Sequence, residues 1–212
     1  MTGESYKTIK NEAHEEYTVK KSRFIGHIKP VKTSEEALEF IQQISKKYWD
    51  ATHNVYAYII RDENIKRFSD DGEPQGTAGI PVLDVLEKSG LTDCVVVVTR
   101  YFGGIMLGAG GLVRAYSHSA SIAVQAASPV TMAVCKKMQV DCDYGFYGKL
   151  SSLIPDEGGI ITNTIFEDNV KLEFTIISEK SDMINAKIID ASNGKYSAKA
   201  IDEFYSRVKT DN

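Results

Sequence analysis

The chain has 212 residues, 42% of them hydrophobic and 25% charged, with a formal net charge of −4. That composition is ordinary for a soluble globular protein, and the length suits one large domain or two small ones. It excludes a DNA-coating module, which needs a broad excess of Lys and Arg to neutralise phosphates. No apolar run approaches the roughly 20 residues of a membrane helix, so no membrane partner is expected.

The start, MTGESYKTIKNEAHEEY, is polar and acidic, unlike a secretory signal or a transit peptide. Cys94, Cys135 and Cys142 form no CxxC pair, which fits reduced thiols in a cytoplasmic protein. Residues 1–130 carry 15 Lys/Arg against 16 Asp/Glu, and residues 131–212 carry 10 against 13. One basic run, Lys20, Lys21, Arg23, Lys29 and Lys32, reads as a solvated strand face in preference to a binding patch.

In chain order, residues 6–31 read as two strands, with Tyr17 and Val19 alternating with polar residues and Phe24, Ile25 and Ile28 before Pro30. Thr33 and Glu36 make a capping-box pattern. The helix that follows, roughly 34–48, places Ala37, Leu38, Ile41, Ile44 and Tyr48 on one face, and Tyr48 and Trp49 close it. Val55 to Ile60 is a strand, and a turn leads to a short strand near Lys66 to Phe68. A Gly/Pro-punctuated loop from Ser69 precedes a helix carrying Val82, Val85 and Leu86, stopped at Gly90. A buried strand over 94–100 and a helix over about 110–127, rich in Ala and Ser, complete a first domain of residues 1–129. Small residues let that helix pack close to a sheet. Beyond Ser128, Pro129 and Val130 come a long strand from Met132, a helix to Ile154, strands to Phe166 and from Val170 to Ile177, a helix capped by Ser181 or Asp182, and a last strand to Arg207. That order is the ferredoxin-like βαββαβ layout for residues 130–212.

The stretch Arg100 to Tyr116, RYFGGIMLGAGGLVRAY, organises the rest. Five glycines, Gly103, Gly104, Gly108, Gly110 and Gly111, lie between a buried strand and a helix start. Glycine lets another backbone or a ligand come close, and a helix start offers unpaired N–H groups to an anion. Arg100 and Arg114 bracket the loop. The loop matches neither known phosphate signature: Ala109 stands where Walker A needs lysine, and Val113 where GxGxxG needs its third glycine. A looser anion site and a structural tight turn both remain open. Asp70, Asp71 and Glu73 offer oxygen ligands on a turn. Alternatively they pair with Arg100 or Arg114, or cap backbone N–H groups, which would join the acidic and glycine loops into one site. His53 is read as a structural donor in preference to a general base.

Four blocks, KSRFIG (21–26), THNVYAY (52–58), FSDDGEPQGTAG (68–79) and RYFGGIMLGAGGLVRAYS (100–117), together resemble the YigZ/IMPACT family. The resemblance covers residues 1 to about 127 and implies an α+β protein of two domains. The first has the two-layer α/β fold of ribosomal protein S-five domain 2. The second is a ferredoxin-like domain similar to the last domain of elongation factor G. The family's marked positions fall on Ser22, Phe24, His53, Asp70, Asp71, Glu73, Pro74, Gly76, Arg100, Tyr101, Gly103, Gly104, Gly108, Gly110, Gly111 and Arg114. It implies a translation-linked binding protein with the ribosome, structured RNA or a translation factor as partner. It implies no catalytic residue, metal or cofactor. Two other functions stay open: a nucleotide- or phosphate-binding enzyme using the glycine loop with Asp70 and Asp71, and a regulatory protein-interaction module.

Overall fold

The computed structural model describes residues 5–208. The chain divides into two compact units, Tyr6–Thr131 and one that begins at Met132. The first holds β1 (Tyr6–Ile9), β2 (Ala13–Val19), β3 (Ser22–Pro30), α1 (Ser34–Lys47), β4 (His53–Ile60), β5 (Ile65–Ser69), α2 (Gly79–Lys88), β6 (Cys94–Tyr101) and α3 (Ala109–Ala126). Its antiparallel sheet runs β2-β3-β6-β4-β5. Residues 6–31 form three strands, one more than the alternation predicts. Lys10 N–H bonds back to the carbonyls of Ala127 and Ser128, which turns the chain between β1 and β2, and β1 bridges in parallel to Leu91.

β6 is central, and its unbroken valine run has a physical cause. Val96 and Val98 enter the core shared with α2 and α3, while Val95 and Val97 enter a second core under α1. A strand covered on both faces has no polar side to alternate with. α3 crosses the sheet at Gly26, where an added Cβ would stand 2.4 Å from the carbonyl oxygen of Ser119 and 3.1 Å from the Cβ of Ala123. The Ala/Ser content of the helix thus serves close approach. On α1, Thr33 accepts from Glu36 N–H, and the Glu36 carboxylate accepts from Lys32 N–H, one residue before the cap. Phe40 joins Ala37, Ile41 and Ile44 in the buried face, whereas Leu38 lies off that stripe and is 45% exposed. Tyr48 is the C-cap of α1, its N–H bonding the Ile44 carbonyl, and Trp49 just beyond the helix is 81% exposed.

The second unit contains all but the first three residues of β7 (Pro129–Cys142), together with α4 (Tyr144–Asp156), β8 (Ile160–Phe166), β9 (Val170–Ile177), α5 (Ser181–Ala191) and β10 (Lys199–Val208). β9 lies between β7 and β8, and β10 pairs with β7, which is the ferredoxin-like arrangement. Its core joins Met138 and Val140 of β7, Leu150 and Ile154 of α4, Leu172 and Phe174 of β9, and Ile184 and Ile188 of α5. Asp143 caps α4 by accepting from Phe146 N–H at 2.9 Å. The expected side-chain cap of α5 does not form. A 3-10 turn, Ser178–Lys180, runs directly into the helix, and the Ser181 hydroxyl donates to the Ser178 carbonyl instead. Among the described residues, no helix is long and apolar enough to cross a membrane.

One buried group in the first unit sets a pH dependence. His27 on β3 is 4% exposed, its ring lies 4.9 Å from Tyr48 and 6.1 Å from His14, and its Nε2 has no hydrogen-bond partner. Burial first, then the nearby positive charges of His14 and Lys47, push its pKa from 6.5 down to about 4. In that window the unfolded chain binds a proton that the folded chain refuses, so stability falls as pH drops. The loss between pH 6.5 and 4 is expected to reach about 3 kcal/mol. Urea titrations across that range will show this component missing in His27→Gln.

Candidate functional site

The end of β6 delivers Arg100 to a point where three elements meet. In the sheet it stands opposite Phe24 of β3 and His53 of β4. Its guanidinium carbon lies 5.5 Å from the ring centroids of both Phe24 and Phe102, and the residue is 6% exposed. A buried cation there needs a counter-charge, and Glu73 supplies it: the Arg100 guanidinium donates to Glu73 Oε1. The hydroxyl of Tyr116, at the end of the second turn of α3, donates to the same oxygen at 2.7 Å. Burial, followed by the Glu73 charge, pushes the Tyr116 hydroxyl far above its ordinary pKa, so it remains a donor. His53 completes the group. Its Nδ1 lies 2.6 Å from the Asp71 carbonyl and so carries the proton, and its Nε2 faces Glu73 Oε1 at 3.9 Å.

The acidic loop is shaped by its own carboxylates. Asp70 Oδ2 accepts from Gly76 N–H at 2.8 Å, and Oδ1 accepts from Ala78 at 3.1 Å and Gly79 at 2.8 Å. These include the free N–H groups at the start of α2, whose own cap residue Ala78 offers no side-chain bond. Asp71, in the left-handed region at φ +44°, accepts from Asn54 N–H and ties the loop to β4. Both options weighed from the sequence are therefore realised: Asp70 caps backbone N–H groups, and Glu73 pairs with Arg100. Glu73, from the acidic loop, joins Arg100 before the glycine loop to Tyr116 after it.

The glycines divide by task. Gly103 lies directly on the β2–β3 turn, where an added Cβ would stand 2.0 Å from the Lys21 carbonyl carbon, and its N–H donates to Ser22 Oγ at 3.2 Å. Gly104 and Gly108 hold positive φ of +79° and +71° in open space. Gly108 is the N-cap of α3, which has no side-chain cap and no acid in its first turn. A Cβ at Gly111 would meet Leu107 at 3.1 Å, and one at Gly110 would lie 3.8 Å from an Arg114 nitrogen. Tyr101 donates to Asp50 at 2.8 Å, and Phe102 N–H donates to Thr52 Oγ1 at 3.0 Å, so the loop is pinned on its other flank too.

The named residues thus separate into a frame and a rim. Arg100, Glu73 and Asp70 are bonded inward and hold the loops in place. Arg100 is not the exposed flanking charge its position in the sequence implies, because Glu73 neutralises it under cover. Arg114 is exposed, and beside the loop so are Phe102 (48%), Ile105 (42%), Met106 (83%) and Val113 (38%). Sequence reasoning passes over Tyr116 and these apolar side chains. A hydroxyl-bearing ring in a helix of Ala and Ser was the available signal for Tyr116, since a buried tyrosine seeks a partner for its O–H. Cys94 offers no nucleophile: burial pushes its thiol up to about 12.

An Impact N-terminal domain model matches residues 20–124, and a model described as a domain of unknown function (DUF1949) matches residues 140–195. The IMPACT family member YvyE of Bacillus subtilis is 41% identical over 192 residues, 90% of this chain and 88% of its own. The IMPACT family member YigZ of Escherichia coli is 34% identical, over 87% of this chain and 92% of its own. A Protein IMPACT homolog of Dictyostelium discoideum is 39% identical over 106 residues, 48% of this chain and 29% of its own. A solved crystal structure described only as that of a hypothetical protein superposes with a TM-score of 0.60 at 32% identity, covering 94% of this chain and 98% of its own. With near-full-length relatives above 30% identity and the Impact N-terminal domain around the Arg100–Glu73–Tyr116 frame, the chain belongs to the IMPACT family.

Proposed function

We propose that the protein is a non-enzymatic binding protein of translation and its regulation. It contacts the ribosome, a structured RNA or a translation factor through the rim of the glycine loop. The observation that carries this reading is the contrast between frame and rim. The carboxylates that a phosphotransferase would draw on, Asp70 and Asp71, are engaged with the backbone N–H groups of Gly76, Ala78, Gly79 and Asn54, and the neighbouring Glu73 with Arg100 and Tyr116. The side chains that face outward beside the loop are apolar or cationic, which suits recognition. The eukaryotic relative matches 106 residues, 48% of this chain, an extent close to that of the Impact N-terminal domain at residues 20–124, which supports giving the contact to the first unit.

The test is co-sedimentation with purified 70S ribosomes at low and moderate salt, comparing the wild type with a Met106→Ala, Arg114→Ala double variant. Both side chains are exposed, so the fold is kept. Wild-type co-migration that weakens with salt and is lost in the double variant is the expected result. Absence of co-migration at either salt contradicts the reading, and heat on titration with ATP and Mg²⁺ would then favour the nucleotide-binding alternative.

A further inference from the structure

We infer that the place where the β2–β3 turn meets the glycine loop takes RNA with unpaired bases, Lys20, Lys21 and Arg114 lying on phosphates and Phe102 under a base. The inference rests on the rim being the contact surface and names the class of partner. Lys20 and Lys21 form the turn, in the left-handed region at φ +46° and +64°. Gly103 brings the glycine loop against the Lys21 backbone.

Arg114 comes to the same end. α3 runs antiparallel to β2: Lys10 N–H bonds Ala127 at one end, and the His118 ring lies 4.4 Å from that of Tyr17 midway. From His118 back to Arg114 is about 6 Å of helix, and from Tyr17 on to Val19 is about 6.6 Å of strand. Arg114 is therefore level with Val19, beside Lys20.

The rest of the basic run is engaged elsewhere. Arg23 pairs with Glu16, Lys29 lies 5.5 Å over the Phe40 ring, and Lys32 bonds Tyr6 and Asp93. Lys20, Lys21 and Arg114 are the cations here that make no ion pair among the described residues. Three unpaired cations at one spot, on a chain of net charge −4, are complementary to a polyanion. An aromatic face beside them favours RNA over an acidic peptide. Phe102 is 48% exposed, and unpaired bases stack on such rings between phosphate contacts. The side-chain-free positions Gly104 and Gly108, with nothing within 4 Å of an added Cβ, leave room for a nucleotide backbone.

The full chain is titrated into a fluorescein-labelled RNA hairpin with an unpaired loop, and into a continuous duplex of the same stem, across a salt series. The wild type is expected to prefer the hairpin, with affinity falling as salt rises. Lys20→Gln, Lys21→Gln, Arg114→Gln together should lower the log–log salt slope by roughly 2. Phe102→Ala should weaken hairpin binding roughly tenfold with the slope unchanged. All four side chains are exposed, and a thermal melt checks that each variant folds. No hairpin binding at the lowest salt, an unchanged slope in the triple variant, or displacement by polyglutamate as readily as by unlabelled RNA each overturns the inference. Ribosome co-sedimentation without hairpin binding overturns it while leaving the translation reading intact. Hairpin binding with the expected slope but no ribosome co-sedimentation supports it and removes the ribosome as the partner.

Discussion

Glu73→Ala is expected to lower stability by about 3–5 kcal/mol, the cost of leaving a buried charge without its partner. Arg100 is 6% exposed and has Glu73 as its carboxylate, and its Nε already lacks an acceptor. Removing Glu73 also strips the Tyr116 hydroxyl of its acceptor inside the same core. Glu73→Gln keeps the shape and a carbonyl acceptor, so its loss should be smaller. A double variant, Glu73→Leu with Arg100→Met, should recover part of the loss, because it removes both charges together. A double-mutant cycle by chemical denaturation checks this. A single-variant loss under about 1 kcal/mol would mean that the pair is solvated like a surface salt bridge.

Gly103→Ala is expected to cost about 1–3 kcal/mol and to displace the loop. The added Cβ would stand 2.0 Å from the Lys21 carbonyl carbon and 2.1 Å from its oxygen, both backbone atoms that cannot swing aside. Gly104→Ala is the control. Space around it is open, and only its φ of +79° opposes a side chain, at roughly 1 kcal/mol. The expected order of melting temperatures is wild type, then Gly104→Ala, then Gly103→Ala. Gly103→Ala should also lose ribosome binding at temperatures where it is still folded, since the turn carrying Lys20 and Lys21 moves with the clash. A Gly103→Ala protein as stable as the wild type would contradict the close approach.

Much of the scaffold is legible in the sequence because it depends on local pattern. Four consecutive valines before a glycine loop mark a strand buried on both faces. The Ala/Ser helix marks close packing, which Gly26 receives. The βαββαβ order of the second unit follows from periodicity and turn residues. The site is less legible, because its bonds join distant positions. Glu73 and Arg100 are 27 residues apart, Glu73 and Tyr116 are 43 apart, and Ser22 and Gly103 are 81 apart. Composition cannot tell which of three neighbouring carboxylates turns inward. Left-handed backbone at Asp71 and Gly72 decides it, sending Asp70 to the start of α2 and Glu73 to Arg100. The basic run shows the same limit. Its members look alike in sequence, yet Arg23, Lys29 and Lys32 are engaged within the fold while Lys20 and Lys21 project from a turn beside the glycines.

The central claim, a buried frame that presents the glycine-loop rim to a partner in translation, is tested most directly by amide hydrogen exchange on the full chain, free and bound to ribosomes. Slowed exchange on binding at residues 20–23 and 102–114, with the rest of the first unit unchanged, is the expected result. Slowed exchange confined to residues after 132, with the glycine loop exchanging as in the free protein, would contradict the account.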